Sequence, residues 1–168
     1  GGVGKTTIAK SVYNLNHHIF ERSCFLANIN QSNDLLTLQR QLLSNILKGQ
    51  KEMIYNVFEG TVKIEEAIRC NKVFMVLDDV YDVNQLDILI GTQDFYPGSK
   101  IIITTRNKCL LRARKIHELH EVELLDVNES LKLFSRHAFR QDHPLKEYSN
   151  EAVRVVQRCG GLPFAFKG

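Results

Sequence analysis

The first seven residues, GGVGKTT, combine glycines with a lysine and two threonines at a spacing suited to phosphate binding. They match the closing part of the loop pattern G-x-x-x-x-G-K-[ST], in which glycines permit a tight turn and backbone N–H groups cradle phosphate oxygens. We predict that Lys5 contacts the β- and γ-phosphates of a nucleotide, that Thr6 ligates Mg²⁺ and that Thr7 contacts the α-phosphate. The predicted nucleotide contacts of the loop are Gly1, Gly2, Val3, Gly4, Lys5, Thr6 and Thr7. The alternative is a glycine-rich turn that precedes a helix without binding any ligand.

Two acids, Asp78 and Asp79, follow five consecutive apolar residues in the segment KVFMVLDDV. Phosphate-loop enzymes hold Mg²⁺ with an acid at the end of such a buried strand, so we predict that Asp78 is a metal ligand, directly or through water. We predict a catalytic role for Asp79, which would orient the attacking water. Compared with a glutamate in the same role, aspartate is shorter by one methylene, roughly 1.5 Å. A misplacement of the water on the order of 1 Å can lower the rate a hundredfold. Slow hydrolysis is therefore expected, unless the two acids only cap the strand and begin the turn toward Asp82.

Arg106 ends the strongly β-forming segment IIITTR. Because the carboxyl ends of parallel strands face the ligand in open α/β sheets, we predict that Arg106 contacts the γ-phosphate. A charge-assisted contact of this kind would favour a triphosphate over a diphosphate. The alternative is a solvated arginine at the exit of a strand.

Hydrophobic periodicity predicts alternating helices and strands around these residues. The predicted helices are 5–20, 35–47 with a stop at Gly49, a shorter one capped by Thr61, and 83–90, and the predicted strands are 24–29, 72–80, 99–106 and, more weakly, 120–124. The alternation indicates a parallel sheet covered by helices on both faces. The fold class is therefore α/β, a three-layer sheet of the phosphate-loop NTPase type. We expect its first strand to lie upstream of Gly1.

Strand signals stop near the end of the chain, where a helical region is predicted. Asn128 is predicted to cap one helix, a second helix closes at Gly160-Gly161, and Pro163 begins a third. We predict a nucleotide-binding subdomain over residues 1–122 and a helical subdomain over residues 123–168. Both ends of the chain fall within motifs, so we expect a segment of a longer protein.

Composition narrows the class of protein. The 168 residues are 43% hydrophobic and 24% charged, as in a globular domain, and no stretch is apolar for long enough to predict a membrane span. The net charge is only +3, which argues against a nucleic-acid partner. The four cysteines are far apart and form no C-x-x-C pair, which favours reduced thiols in an intracellular protein over a zinc site.

The segments GGVGKTT, KVFMVLDDV, GSKIIITTRN and GLPF, in that order, resemble the NB-ARC domain of plant nucleotide-binding leucine-rich-repeat immune receptors. The segments CFLANI, LLTLQRQLLSNIL and HAFRQDHP are similar to the subclass with an N-terminal Toll/interleukin-receptor-like (TIR) domain. The coiled-coil subclass commonly has Trp after the second Asp-Val, where this chain has Tyr81. The acidic residue usual in the TIR subclass is displaced to Asp82.

The resemblance implies a switch that binds ADP at rest, exchanges it for ATP on activation, and then assembles into a homo-oligomer that signals defence. It implies that Pro163 lies near the adenine, although Phe164 and Phe166 replace the usual leucines. The implied cofactors are ADP or ATP and Mg²⁺, and the implied partners are a TIR-like domain, a second helical subdomain and leucine-rich repeats. The implied location is the cytoplasm, with the nucleus as an additional location. Two other functions stay open: an ATPase with steady turnover, such as a motor or remodeller, and a scaffold with a vestigial loop.

Overall fold

The computed structural model describes residues 1–32, 34–49, 53–110 and 117–166. Its helices are α1 (Lys5–Asn16), α2 (Leu35–Ile46), α3 (Val57–Cys70), α4 (Val83–Ile90), α5 (Val127–Phe139) and α6 (Ser149–Cys159). Its strands are β1 (Arg22–Leu26), β2 (Val73–Val80) and β3 (Lys100–Thr105). Short 3₁₀ turns occupy His17–Ile19, Ile29–Gln31, Lys146–Tyr148 and Pro163–Phe166. No helix among the described residues is long and apolar enough to cross a membrane.

Within the described residues, three parallel strands form one sheet in the order β1-β2-β3. Strand β2 is central and almost entirely buried, as the unbroken apolar run predicted. Its pairing with β3 is regular up to Leu77↔Ile103 and then shifts, so that the next pair is Val80↔Thr105. The shift leaves Asp78 and Asp79 in an irregular part of the ladder, at the carboxyl end of the strand.

Helices cover both faces of the sheet, which confirms the predicted three-layer α/β fold. Helix α1 packs on one face, where Ala9 meets Phe74 and Val76. Helices α2, α3 and α4 pack on the other face, and their buried residues join Met75 and Leu77 in the larger core. Because β2 is covered on both sides, the position of its carboxyl end is firmly set by packing.

Two predicted boundaries near the start of the chain were wrong. Helix α1 ends at Asn16 rather than at residue 20, and a 3₁₀ turn follows it. Strand β1 runs from Arg22 to Leu26 rather than over residues 24–29. It stops there because Asn28 adopts a left-handed conformation, with φ of 53°, and starts a 3₁₀ turn.

Two predicted helix caps were also wrong. Helix α3 is capped by Asn56, whose side chain accepts from the Glu59 N–H, so Thr61 lies inside the helix. Helix α5 is capped by Asp126 rather than Asn128, because Asp126 and Glu129 form a reciprocal capping box. Two reciprocal hydrogen bonds between Asp126 and Glu129 stabilise this helix start more than a single cap by Asn128 would.

The weaker strand predicted over residues 120–124 was wrong as well. This stretch is described, mostly exposed, and has no regular secondary structure. A strand without a hydrogen-bonded neighbour gains little in water, and this stretch pairs with no strand in the described part of the chain. The stretch is therefore a connection without regular secondary structure.

The chain forms two compact units, one of residues 6–117 and the other of residues 1–5 together with the segment from Glu118 onward. We call them the sheet unit and the helical unit. In the helical unit, α5 and α6 pack together and the rings of Phe134, Phe139 and Phe166 form edge contacts. Helix α6 ends at Cys159 and is followed by the cap residue Gly160 with φ of 59°, which confirms the predicted stop. The predicted division into residues 1–122 and 123–168 stays a prediction.

Candidate functional site

A direct hydrogen bond joins two predicted metal ligands within the sheet unit. The Thr6 hydroxyl, at the second position of α1, donates to Oδ1 of Asp78 at 2.8 Å. The two residues are 72 positions apart in the sequence. They meet because α1 packs on one face of the sheet and Asp78 lies near the carboxyl end of β2.

Asp78 is fully buried, and its two carboxylate oxygens differ in their surroundings. Oδ1 accepts from Thr6 at 2.8 Å and from the Thr104 hydroxyl at 2.7 Å. Oδ2 is buried and has no hydrogen-bond partner among the residues that the structure describes. A buried charged oxygen without a partner is costly, and its free energy falls when a cation binds it.

The residues present fit a magnesium ion. Mg²⁺ takes oxygen ligands, keeps several waters, and needs only one or two protein groups when a nucleotide supplies the others. Thr6 and Asp78 offer such a pair, and Oδ2, which none of the described residues contacts by a hydrogen bond, is the oxygen available to a metal or its water. No cluster of three or more His, Cys, Asp and Glu side chains that could hold a metal occurs in the part of the chain that the structure describes.

Asp79 has an unusual backbone conformation at the register shift of β2. Its φ is 58°, in the left-handed region that non-glycine residues seldom adopt. Its N–H donates to the Thr104 hydroxyl at 2.9 Å, and its carboxylate forms an ion pair with Arg106, with Nε and Oδ1 3.4 Å apart. Strained backbone of this kind concentrates at functional sites.

The ion pair brings together two residues that the sequence assigned to one site. The Arg106 side chain is 64% exposed, whereas that of Asp79 is 16% exposed. The guanidinium is thus free to turn toward solvent or a ligand, while the carboxylate is held. The Asp79 carboxylate, which was predicted to orient a water molecule, thus pairs with Arg106 in this structure.

The phosphate loop belongs to the helical unit up to Lys5, where α1 begins. Gly2 and Gly4 have φ of 84° and 95°, so the loop makes the tight left-handed turns that glycine permits. The Gly2 carbonyl accepts from the Phe164 N–H at 3.2 Å, which places the loop beside the 3₁₀ turn that starts at Pro163. Pro163 is half-buried, and a side chain on Gly2 would press on Phe164.

The predicted site residues thus fall into two sets. The sheet unit brings together Thr6, Asp78, Asp79 and Arg106, and it holds Thr7 exposed on α1. The helical unit contains Pro163 and the loop residues Gly1, Gly2, Val3, Gly4 and Lys5. The ligand-binding roles assigned to these residues stay predictions.

Sequence reasoning missed Thr104, the residue that bonds to both acids. A usable signal was present, because Thr104 lies two positions before Arg106, and side chains two apart in the predicted strand 99–106 would share a face. A hydroxyl on that face, one strand away from an acid pair, is a candidate hydrogen-bond donor. The register shift of β2, where the Asp79 N–H donates to the Thr104 hydroxyl, has no comparable pattern in the sequence.

Comparison with known proteins agrees with the geometry. Residues 1–144 match the NB-ARC domain family. Over 99% of its length, the chain is 44% identical to Disease resistance protein RPV1 and to Disease resistance protein RUN1 of Vitis rotundifolia, and 36% identical to TMV resistance protein N of Nicotiana glutinosa. It spans 12%, 13% and 15% of those proteins, respectively. With a match over most of its length and a fold in which the loop threonine meets the strand acid, this chain belongs to the NB-ARC family of nucleotide-binding domains.

Proposed function

We propose that the chain is the nucleotide-binding switch of a plant immune receptor, with ADP bound at rest and ATP bound when active. Similarity to proteins named for disease resistance supports the biological setting. The observation that carries the chemistry is the hydrogen bond between the Thr6 hydroxyl at the start of α1 and the buried carboxylate of Asp78. Such a pairing suits an Mg²⁺–nucleotide complex.

Each part of the site has a proposed task. Loop N–H groups and Lys5 bind the phosphates, with the start of α1 adding its favourable dipole. Thr6 and Asp78 hold Mg²⁺, which neutralises charge on the β- and γ-phosphates when bound. Thr7 contacts the α-phosphate, and Pro163 lies against the adenine. These tasks follow the family resemblance and the positions of the residues in the motifs.

Arg106 and Asp79 are proposed to distinguish ATP from ADP. Arg106 is exposed and close to the end of β3, so it can exchange its contact with Asp79 for one with a γ-phosphate. Asp79 orients the attacking water only after that exchange, and its short side chain places the water poorly. Hydrolysis is therefore slow, as a switch requires.

The energetic demand on such a switch is moderate. A ligand present at about a thousand times its dissociation constant stabilises the state that it binds by ~4 kcal/mol. Driving an equilibrium from 1:99 to 99:1 needs a differential of ~5.5 kcal/mol. Differential contacts of ATP and ADP with Lys5 and Arg106 would supply much of this, and contacts with other domains would supply the rest.

The wider setting is also part of the proposal. We infer a receptor of the TIR subclass, with a second helical subdomain and leucine-rich repeats in the same protein. Activation would lead to a homo-oligomer, and the receptor would act in the cytoplasm, with the nucleus as an additional location. The segments CFLANI, LLTLQRQLLSNIL and HAFRQDHP, which are similar to that subclass, support this assignment.

The test is the nucleotide that copurifies with the full-length protein. The protein is purified, denatured, and its released nucleotide identified by chromatography. Near-stoichiometric ADP that is lost in Lys5→Ala but kept in Lys10→Ala supports the switch, because Lys10 is an exposed lysine of the same helix.

Two other results would replace the proposal. An empty site with ATP turnover well above once per minute indicates a motor or remodelling ATPase. An empty site with neither binding nor turnover indicates a scaffold with a vestigial loop.

A further inference from the structure

We propose that Thr104 is a positioning residue whose single hydroxyl group sets both acids of the site. The inference rests on the proposed nucleotide-binding function and adds a residue to it. Thr104 is buried near the carboxyl end of β3, next to β2. It touches the acids themselves and would act on the metal and the nucleotide only through them.

Hydrogen-bond accounting assigns the direction of both bonds. A threonine hydroxyl has one proton to donate and lone pairs to accept. The Asp79 N–H can only donate, so Thr104 accepts from it, at 2.9 Å. The hydroxyl proton is then given to Oδ1 of Asp78, at 2.7 Å. The donating and accepting roles of one oxygen are thus divided between two consecutive acids.

The bond to Asp78 determines which oxygen of that carboxylate is available. Thr6 and Thr104 both donate to Oδ1, and in the described part of the chain the buried Oδ2 has no hydrogen-bond partner. Without the Thr104 hydroxyl, Oδ1 would keep only the hydrogen bond from Thr6, and the carboxylate would be less firmly held against rotation. Hydrogen bonds to metal-binding groups orient them, and their loss costs about 10- to 100-fold in metal affinity or activity.

The bond to Asp79 holds the irregular end of β2. It satisfies the N–H of a residue with φ of 58°, at the place where the ladder shifts between Leu77 and Val80. The carboxylate of the same residue forms the ion pair with Arg106. The metal-binding acid and the partner of Arg106 are therefore positioned by the same group.

The test measures how nucleotide affinity depends on Mg²⁺. In the full-length protein, binding of a fluorescent non-hydrolysable ATP analogue is titrated with Mg²⁺ and repeated in EDTA. Thr104→Val removes the hydroxyl but keeps the shape, and we expect the half-saturating Mg²⁺ concentration to rise about 10- to 100-fold. Affinity in EDTA should stay close to that of the wild type, because the phosphate loop is unchanged. Thr104→Ser should restore the normal Mg²⁺ requirement.

Thr105→Val is the matched control, since it makes the same chemical change one position later. The Thr105 hydroxyl accepts from the Asn107 N–H, at 2.9 Å, and the control should keep the wild-type Mg²⁺ requirement. An equal shift in both valine variants would overturn the inference. So would an unchanged requirement in Thr104→Val, or a loss of affinity that is equally large in EDTA.

The experiment distinguishes failure of the proposed function from failure of this inference alone. A wild-type protein that binds no nucleotide, with or without Mg²⁺, overturns the proposed function together with this inference. A wild type that binds with a clear Mg²⁺ requirement, shared by Thr104→Val, overturns this inference alone. If the valine variant does not fold, Thr104→Cys replaces it, because a thiol is a weaker donor and should give an intermediate shift. An unchanged requirement in that variant also contradicts the proposal.

Discussion

Neutralising Asp79 should shift the balance between ATP and ADP toward ATP. Asp79→Asn keeps the shape of the side chain and removes the charge that holds Arg106, 3.4 Å away. If Arg106 has two competing partners, the carboxylate and a γ-phosphate, loss of the first favours the second. The substitution should also abolish the residual hydrolysis.

The size of the shift follows from the exposure of the pair. Coulomb's law gives ~1.2 kcal/mol for unit charges at this distance in bulk water. Arg106 is 64% exposed, so screening and side-chain entropy reduce the net value to the range measured for exposed pairs, ~0.2–1 kcal/mol. With a factor of ten for each ~1.4 kcal/mol, the ratio of ATP to ADP affinity should rise about 1.4- to 5-fold.

The assay is competition of ATP and of ADP against a fluorescent nucleotide in the full-length protein. Four proteins are compared: wild type, Asp79→Asn, Arg106→Ala and the double variant. Asp94→Asn serves as the charge control, because Asp94 is an exposed carboxylate elsewhere in the sheet unit. It should leave the affinity ratio unchanged.

The double variant decides the reason for any effect. If Arg106 mediates the shift, Asp79→Asn should change the affinity ratio little in the Arg106→Ala background. A shift of the same size in that background would mean that the carboxylate acts on the nucleotide directly. No shift in either background would refute the competition.

Two predictions concern other parts of the sheet unit. Gly60→Ala should lower the free energy of unfolding by about 1 kcal/mol in a denaturant titration, although alanine favours helices. The reason is that the new Cβ would strike Gln39, whose buried amide donates to the Val57 and Ile88 carbonyls. A stabilised variant would contradict this. Burial raises the pKa of Cys24 to about 11, so at pH 8 about one thiol in a thousand is thiolate, and iodoacetamide should label exposed Cys70 far faster than Cys24 in the folded protein. Mass spectrometry of the labelled peptides measures this, and equal rates would show that Cys24 is not buried as described.

Much of the fold was predictable because its signals are local. The apolar run that ends at Asp78 indicated a strand covered on both faces, and the periodic residues after the phosphate loop indicated an amphipathic helix. Both follow from which side chains must leave water. The boundaries were less predictable, because a cap such as Asp126 depends on a reciprocal bond with Glu129 rather than on residue type alone.

Residue types and their order specify the chemistry available to this protein: a glycine-rich loop with a lysine and threonines, an acid pair after a buried strand, and an arginine after the next strand. How these groups combine depends on the folded arrangement. Thr104 meets Asp78 across 26 positions of sequence, and Asp79 turns toward Arg106 through a left-handed backbone at a shift in strand register. Such bonds depend on register and on packing across the sheet, and a composition or a spacing along one chain does not specify either.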